Sequence, residues 1–426
     1  MPEPLTAGVL FAGSLVVLLV RPRRVPDWAA ALGGGLLMVA IGIWTPQQAA
    51  GQLAESGDVL LFFLGLGVAS ATADRAGLFE AAARFAAAGA RGSQQRLLIS
   101  VFVVGAVLTA VLSNDATALL LTPVAFASAT RLGLNPRPYV FACALVANAA
   151  SFLLPVSNPA NLLILTHAPL SLSAFLTRLL VPSLLALCAT LLGLLVVFRD
   201  DLRAPYAELP MSGPALTSRT RASLVGVSAL GALYVLAAAF GWPLGRVAVT
   251  GAFLSVVIDS LVAGWDLRGL ARQVPWSVLG LVAGLLLLVG GAEQANLFEP
   301  LVRAIETAST HGANGLPGLV VTTAILANVI NNLPGALVAA TALSNLSSGV
   351  DRGNLVAAVI VGVNLGPNLT TIGSLATMLW LLLLRRRGLQ VSALEYVRVG
   401  GVVTVPALAL AAAALWVIGG VLSRGL

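Results

Sequence analysis

Apolar residues run along the chain in long stretches, at 5–20, 28–44, 59–73, 97–130, 139–166, 176–198, 222–240, 247–264, 277–292, 317–348, 354–384 and 399–421. Crossing the hydrocarbon core of a bilayer takes about 20 apolar residues in a helix, so most of these stretches predict single spans. The runs at 97–130 and 317–348 are too long for one span, and each holds a polar patch at its middle. Each predicts a hairpin that enters and leaves on the same side. The runs at 139–166 and 354–384 are interrupted by Asn, Gly and Pro and predict broken spans.

A repeat lies beneath this pattern. Residues 59–84 align without gaps to 278–303 at a constant offset of 219; Leu78, Phe79 and Glu80 match Leu297, Phe298 and Glu299, Asp74 matches Glu293, and Arg84 matches Arg303. In both copies a span leads into a stretch with Glu and Arg four apart, the pattern of a surface-lying helix. Each half then carries a hairpin, an interrupted span and a closing span. Five crossings plus a hairpin is an odd number, which inverts the second half. The expected fold is an all-α polytopic membrane protein of two inverted repeats, 1–198 and 222–426, joined by a polar cytoplasmic linker at 199–221 with Pro205, Pro210 and Pro214. Many secondary transporters share that architecture.

Composition agrees. The chain has 426 residues, 58% hydrophobic and 10% charged, with mean hydropathy +0.96, against about 25% charged residues in a soluble domain. Soluble enzymes, nucleic-acid binders and disordered scaffolds are excluded by that balance. The net charge of +7 comes from 24 basic residues, every one an arginine. With both termini outside, all but Arg178, Arg246, Arg303, Arg352 and Arg424 fall on the cytoplasmic side, as the positive-inside rule requires. The run Arg385-Arg386-Arg387 anchors a span end beside anionic lipid. No basic segment precedes the first apolar run, which reads as a retained span. Cys143 and Cys188 lie inside apolar runs, and neither a disulfide framework nor a CxxC metal site can be made of them.

Four polar patches interrupt the apolar runs: Ser113-Asn114-Asp115 and Asn328 to Asn332 in the hairpins, Asn148 to Asn161 and Asn364 to Thr371 in the broken spans. Non-helical backbone at membrane depth survives only when buried in protein or lining a wet cavity, and paired breaks in two halves point to a binding site near the midplane. Asparagine, serine and threonine also glue helices together, a role open to any single one of them, such as Asn345 or Ser151. Asp115 marks an ion or proton pathway, or caps the second arm of its hairpin. Asp74 and Glu293 fall at span ends and read as interfacial; Asp259 ends a run beside Trp265 and can snorkel; His167 and His311 read as loop residues.

The segments Ser113-Asn-Asp-Ala-Thr-Ala-Leu-Leu-Leu-Thr-Pro123, Asn331-Asn-Leu-Pro334 and Asn364 to Trp380, with Gly373 to Trp380 the most specific, resemble the arsenite permease ArsB family of the ion transporter superfamily. The resemblance covers essentially the whole chain. It implies extrusion of trivalent arsenic and antimony hydroxides across a bacterial inner membrane, in exchange for protons or together with a soluble ATPase subunit. It also implies a scaffold part and a moving transport part of re-entrant hairpins and broken helices. Carried onto this chain, it gives a substrate-binding set of Ser113, Asn114, Asn148, Ser157, Asn158, Asn331, Asn332, Asn364, Asn368, Thr370 and Thr371, with Asp115 as proton carrier and no cofactor or metal. The chain departs from family members at Asn148 and Asn364, where they carry aspartate, and at Asn368, where they carry lysine. Asp115 is thereby left as the main candidate for coupling.

Arsenite near neutral pH is the uncharged triol As(OH)3, and amide and hydroxyl side chains offer such a ligand both donors and acceptors. Silicic or boric acid would suit the same groups. A sodium-coupled dicarboxylate would call for positive charge or helix N-termini at the site, and no arginine falls in the four patches. A passive channel could be lined by the same breaks, though paired breaks favour a carrier. No His–Glu–Cys constellation within the spans suggests an enzyme.

Overall fold

The computed structural model describes residues 4–20, 25–206, 216–344, 346 and 352–422. Arg21, Arg23, Arg24, Arg424, Pro210, Pro214 and Asn345 lie outside the described residues. The described chain is helical apart from its connections. Its first half comprises α1 (Pro4–Val20), α2 (Asp27–Ala40), α3 (Pro46–Glu55), α4 (Gly57–Arg75), α5 (Leu78–Ala90), α6 (Gln94–Val111), α7 (Asn114–Ala116), α8 (Thr122–Arg131), α9 (Arg137–Ala149), α10 (Pro159–His167) and α11 (Leu172–Val197). A π-helical turn, Thr117–Leu121, joins α7 to α8. The second half runs α12 (Ser218–Phe240), α13 (Leu244–Ala263), α14 (Leu267–Gln273), α15 (Trp276–Gln294), α16 (Glu299–Thr310), α17 (Leu316–Ile330), α18 (Asn332–Ser344), α19 (Arg352–Leu365), α20 (Leu375–Arg386) and α21 (Ala393–Leu422). The order of the first half recurs in the second, with α18 in the place of α7 and α8. Helix α12 starts inside the expected linker 199–221.

Eight described helices are long and apolar enough to cross a bilayer: α4, α6, α11, α12, α13, α15, α17 with its preceding turn, and α21. Three apolar helical stretches are shorter, Pro4–Leu18, Trp28–Ala40 and Asn332–Ser344. The run at 28–44 ends early because Gly42 turns the chain at φ +80° and Thr45 starts α3 with a capping box, its hydroxyl accepting from Gln48 N and the Gln48 side chain accepting from Thr45 N.

The halves exchange helices. Helix α2 packs along α15, and α13 packs along α4. Each pairing holds a glycine at the same place in the 219-residue register, Gly65 in α4 and Gly284 in α15. A Cβ on Gly65 would lie 2.6 Å from Ala248 O, and one on Gly284 would lie 2.7 Å from Ala31 C. Lipid offers no hydrophobic drive between helices, so close backbone approach through small residues supplies much of the packing. Helices α11 and α21, each with an internal proline (Pro182 and Pro406), lie along one another. Between these layers sit α9, α10, α18 and α19, whose residues are nearly all buried.

Charges are paired at the margins. Arg219 grips Asp259 through two bonds of 2.7 and 2.8 Å, so Asp259 is held by a partner rather than snorkelling. Arg75 meets Asp266 at 2.6 Å, and the surface helix α16 carries the expected Glu299–Arg303 pair. The start of the linker straps the base of the first hairpin: Tyr206 N donates to Gly92 O, Gln94 Nε2 to Ala204 O, and Asn135 Nδ2 to Asp201 Oδ1.

Candidate functional site

Each hairpin turns on one residue. Ser113 between α6 and α7 has φ 144°, and Asn331 between α17 and α18 has φ 76°. Neither is glycine, and backbone strain of this kind costs of order 1–3 kcal/mol and persists where the surroundings impose it. Ser113 Oγ accepts from Ala116 N (3.3 Å) and so caps the second arm. The cap is therefore Ser113, not Asp115. Asn331 Nδ2 donates to Ile372 O (3.0 Å) and Asn332 N to Gly373 O (2.9 Å), which ties the second tip to its own half's break.

The breaks are short 3₁₀ turns, Pro155–Ser157 and Gly366–Leu369. The helices beyond them restart on side-chain caps, Asn158 for α10 and Ser374 for α20. The two breaks are laced together by buried amides. Asn148 Nδ2 donates to Asn368 Oδ1 (2.8 Å), Asn158 Nδ2 to Asn364 Oδ1 (2.6 Å), and Asn364 Nδ2 to Asn161 Oδ1 (2.8 Å). Backbone carbonyls take further amide protons: Asn364 Nδ2 also reaches Ile360 O, Asn368 Nδ2 reaches Leu145 O, and Asn161 Nδ2 reaches Ser151 O. Ser157 Oγ donates to Ala110 O of α6, binding the first break to the first hairpin.

Three buried side-chain oxygens in this region have no hydrogen-bond partner among the described residues: Asn114 Oδ1, Asn332 Oδ1 and Asn148 Oδ1. Two of them stand at the hairpin tips, one in each half. An unmade buried acceptor costs about 1–3 kcal/mol.

A cavity of about 190 Å³ reaches the first tip. Ser113 and Asp115 from the hairpin, Ser70 and Asp74 from α4, Pro159 of α10, Leu379 of α20 and Gln273 and Pro275 before α15 all line it. No cationic side chain lines it. Asp115 is half-buried there, two residues past the cap. A second cavity of about 400 Å³ lies in the other half, against Glu293, Asn296, Glu299 and Thr341. A groove of about 850 Å³ between α17 and α21 is apolar except at Asn328 and Thr370, which bond to each other at 2.7 Å.

Of the expected site residues, Ser113 and Asp115 share the small cavity, and Asn148, Asn158, Asn364 and Asn368 share the amide network. Ser157 and Asn331 tie hairpin to break, while Asn114 and Asn332 present unfilled carbonyls. Thr370 faces the apolar groove, and Thr371 is half-buried beside it. Asn161 and Asn328, which bound two of the polar patches, stood outside the expected substrate-binding set, and Ser70 and Gln273 were not singled out; Asp74, read as interfacial, lines the small cavity from the last turn of α4. Cys143 is buried and Cys188 exposed, and no group of three His, Cys, Asp or Glu among the described residues could hold a metal.

The family model for arsenical pump membrane proteins matches residues 6–418. Arsenical pump membrane proteins of Escherichia coli K12 and Yersinia enterocolitica are 29% and 28% identical, each alignment covering 96% of this chain and 98% of the relative. An uncharacterized transporter of Mycobacterium tuberculosis is 28% identical over 96% of this chain and 97% of its own length. The crystal structure of the YdaH transporter of Alcanivorax borkumensis superposes with a TM-score of 0.59 over 98% of both chains at 16% identity, a likeness of fold.

Proposed function

The chain belongs to the arsenical pump membrane protein family, and we propose that it is a secondary active transporter that expels trivalent arsenic and antimony hydroxides from the cytoplasm in exchange for protons. The observation that carries this reading is the cavity of about 190 Å³ at the first hairpin tip. As(OH)3 has four heavy atoms, and at ~30 Å³ per water volume it fits with water to spare. Ser113, Ser70 and Gln273 supply hydroxyl and amide groups to a neutral polyol, and the absence of a cation disfavours a dicarboxylate.

The unfilled carbonyls of Asn114, Asn148 and Asn332 are buried and do not line that cavity; Asn114 stands nearest to it in the chain, between Ser113 and Asp115. Asn158, Asn364 and Asn368 act one step back, holding the two breaks in register so that Asn148 keeps its place; Ser157, Asn331 and Thr370 hold the hairpins to the breaks, and Thr371 follows Thr370 in the chain. Asp115 carries the proton. A neutral substrate gains nothing from the membrane voltage, whereas one charge crossing ~100 mV yields roughly 2.3 kcal/mol, enough for a gradient of roughly 40-fold at about 1.4 kcal/mol per tenfold.

The recurring element order, the exchanged helices and the paired glycines support two inverted repeats. In that arrangement both termini face outward from the inner membrane, and the cavity at Asp115 opens to the cytoplasm. A soluble ATPase subunit would dock on the same arginine-rich face. Expression in an arsenite-sensitive, efflux-deleted bacterium tests the reading. Restored growth on arsenite with lowered cell arsenic is expected; unchanged accumulation, with the protein verified in the membrane, contradicts it.

A further inference from the structure

We propose that Asp74 and Glu293 are proton-handling carboxylates at the two mouths of the transport path, one serving each face of the membrane, and that Asp74 is the group through which Asp115 exchanges its proton with the cytoplasm. The inference rests on the reading of Asp115 as the coupling residue.

Three observations converge on it. Asp74 and Asp115 line one cavity although they come from different elements, α4 and α7. At about 190 Å³ the cavity has room for roughly six waters at ~30 Å³ each, enough to join the two carboxyl groups by a hydrogen-bonded chain. Asp74 stands at the last turn of α4, where Gln273 and Pro275 of the connection into α15 form the cavity's edge. It is placed as a mouth, with Asp115 within. Finally, the 219-residue register that relates the paired glycines also carries Asp74 onto Glu293. Glu293 lines a cavity of its own, about 400 Å³, walled partly by Thr341 of the second hairpin's returning arm. That cavity does not include the tip residues 331 and 332. The first cavity does reach its tip.

The charged surroundings leave Asp74 available for this task. Arg75 is turned to Asp266, and Arg219 of α12 is held by Asp259 of α13. Glu80 of α5 acts on Asp74 electrostatically, and Asp115 faces it across the cavity. On the opposite side, Glu299 of α16 shares the cavity with Glu293 and pairs with Arg303.

The step is a proton hop. Protonated Asp115 gives its proton through the water chain to the Asp74 carboxylate, which leaves Asp115 ionised and Asp74 neutral. Asp74 then releases the proton to cytoplasmic water. After the transporter reverses, Glu293 takes a proton from the outer solution and hands it back toward Asp115. Only O–H bonds are made and broken, and one proton moves inward per cycle.

The test uses the full-length protein in everted vesicles, where the bath corresponds to the cytoplasmic side. Arsenite uptake is followed while bath pH and lumen pH are varied separately, alongside arsenite–arsenite exchange at equal pH. Asp74→Asn is expected to slow gradient-driven uptake by about a hundredfold, the order of a positioned proton-transfer group, and to abolish the bath-pH dependence while exchange continues. Glu293→Gln is expected to remove the lumen-pH dependence instead. Asp74→Glu should restore the drive with a displaced bath-pH midpoint, and it decides the matter if Asp74→Asn does not fold. Wild-type pH profiles in Asp74→Asn, loss of exchange together with drive in a folded variant, or an undisplaced midpoint in Asp74→Glu would overturn the proposal. Failure of the underlying reading looks different: Asp115→Asn would then keep its gradient-driven uptake.

Discussion

Asn158 donates its side-chain amide to the side-chain oxygen of Asn364 at 2.6 Å, joining residues 206 positions apart. Each belongs to a broken helix of a different half, and Asn364 passes the chain of bonds on to Asn161 and Ile360 O. The two breaks therefore satisfy each other, which is how irregular backbone persists among buried apolar helices. Asn364→Ala would leave Asn158 and Asn161 each short of a partner. The expected loss is about 1–3 kcal/mol for each buried group left unmade, read as a lower unfolding temperature in detergent. The double variant Asn158→Ala/Asn364→Ala should lose less than the sum of the single ones, with a coupling of about 0.5–3 kcal/mol. Additive losses would mean that the bond contributes nothing.

Ser113 combines a positive φ with a capping hydroxyl, and these make opposite demands on a replacement. Glycine relieves the backbone at the cost of a few tenths of a kcal/mol in the cap; alanine keeps the strain and loses the cap. Ser113→Gly should therefore exceed Ser113→Ala in stability by about 1 kcal/mol or more. Thermal unfolding of the two purified variants checks the order, and equal stability would show that the tip is not strained.

How much of this was written in the sequence depends on what each feature rests on. The spans, hairpins and breaks were legible because apolar length and buried Asn-Gly-Pro interruptions are local signals. The register of Asp74 with Glu293 was legible, and the same register places Gly65 on Gly284. The short helices α3 and α14 were missed because they are polar or brief and depend on caps at Thr45 and Asp266. The pairing of Asn148 with Asn368 and of Asn158 with Asn364 could not be read, since nothing in a sequence says which of several asparagines face one another. The same holds for Asp74, whose place in the cavity is set by α7 and the α14–α15 connection.

Asp266 shows how acid should act on one of these margins. Its carboxyl is held below the usual carboxylate range, chiefly by the Gly269 N–H and then by Arg75. A depressed folded-state pKa adds stability above the unfolded value of ~3.9 and loses it as pH falls through the lower folded one. The gap in unfolding temperature between the wild type and Asp266→Asn should be constant from about pH 5 upward and close as the solution is acidified below that. The effect is small because the pair is exposed. A gap that widens in acid would reverse the sign and refute the assignment.

A leucine at Gly65 or Gly284 should damage the fold, since each glycine faces backbone of the partner half rather than a movable side chain. Because the two sites are equivalent, Gly65→Leu and Gly284→Leu should cause comparable losses of folded yield, seen as aggregation on size-exclusion chromatography. A tolerant site would show that α4–α13 or α2–α15 can part without cost.

The central claim, that a neutral hydroxide leaves the cell against protons carried by Asp115, is tested most directly by uptake into everted vesicles with and without an imposed pH gradient. As(III), Sb(III), silicate and citrate are compared for the wild type and Asp115→Asn. The account predicts saturable, gradient-dependent uptake of As(III) and Sb(III) by the wild type, none of citrate, and loss of gradient dependence in Asp115→Asn. Gradient-driven citrate uptake, or an Asp115→Asn variant with unchanged gradient dependence, would contradict it.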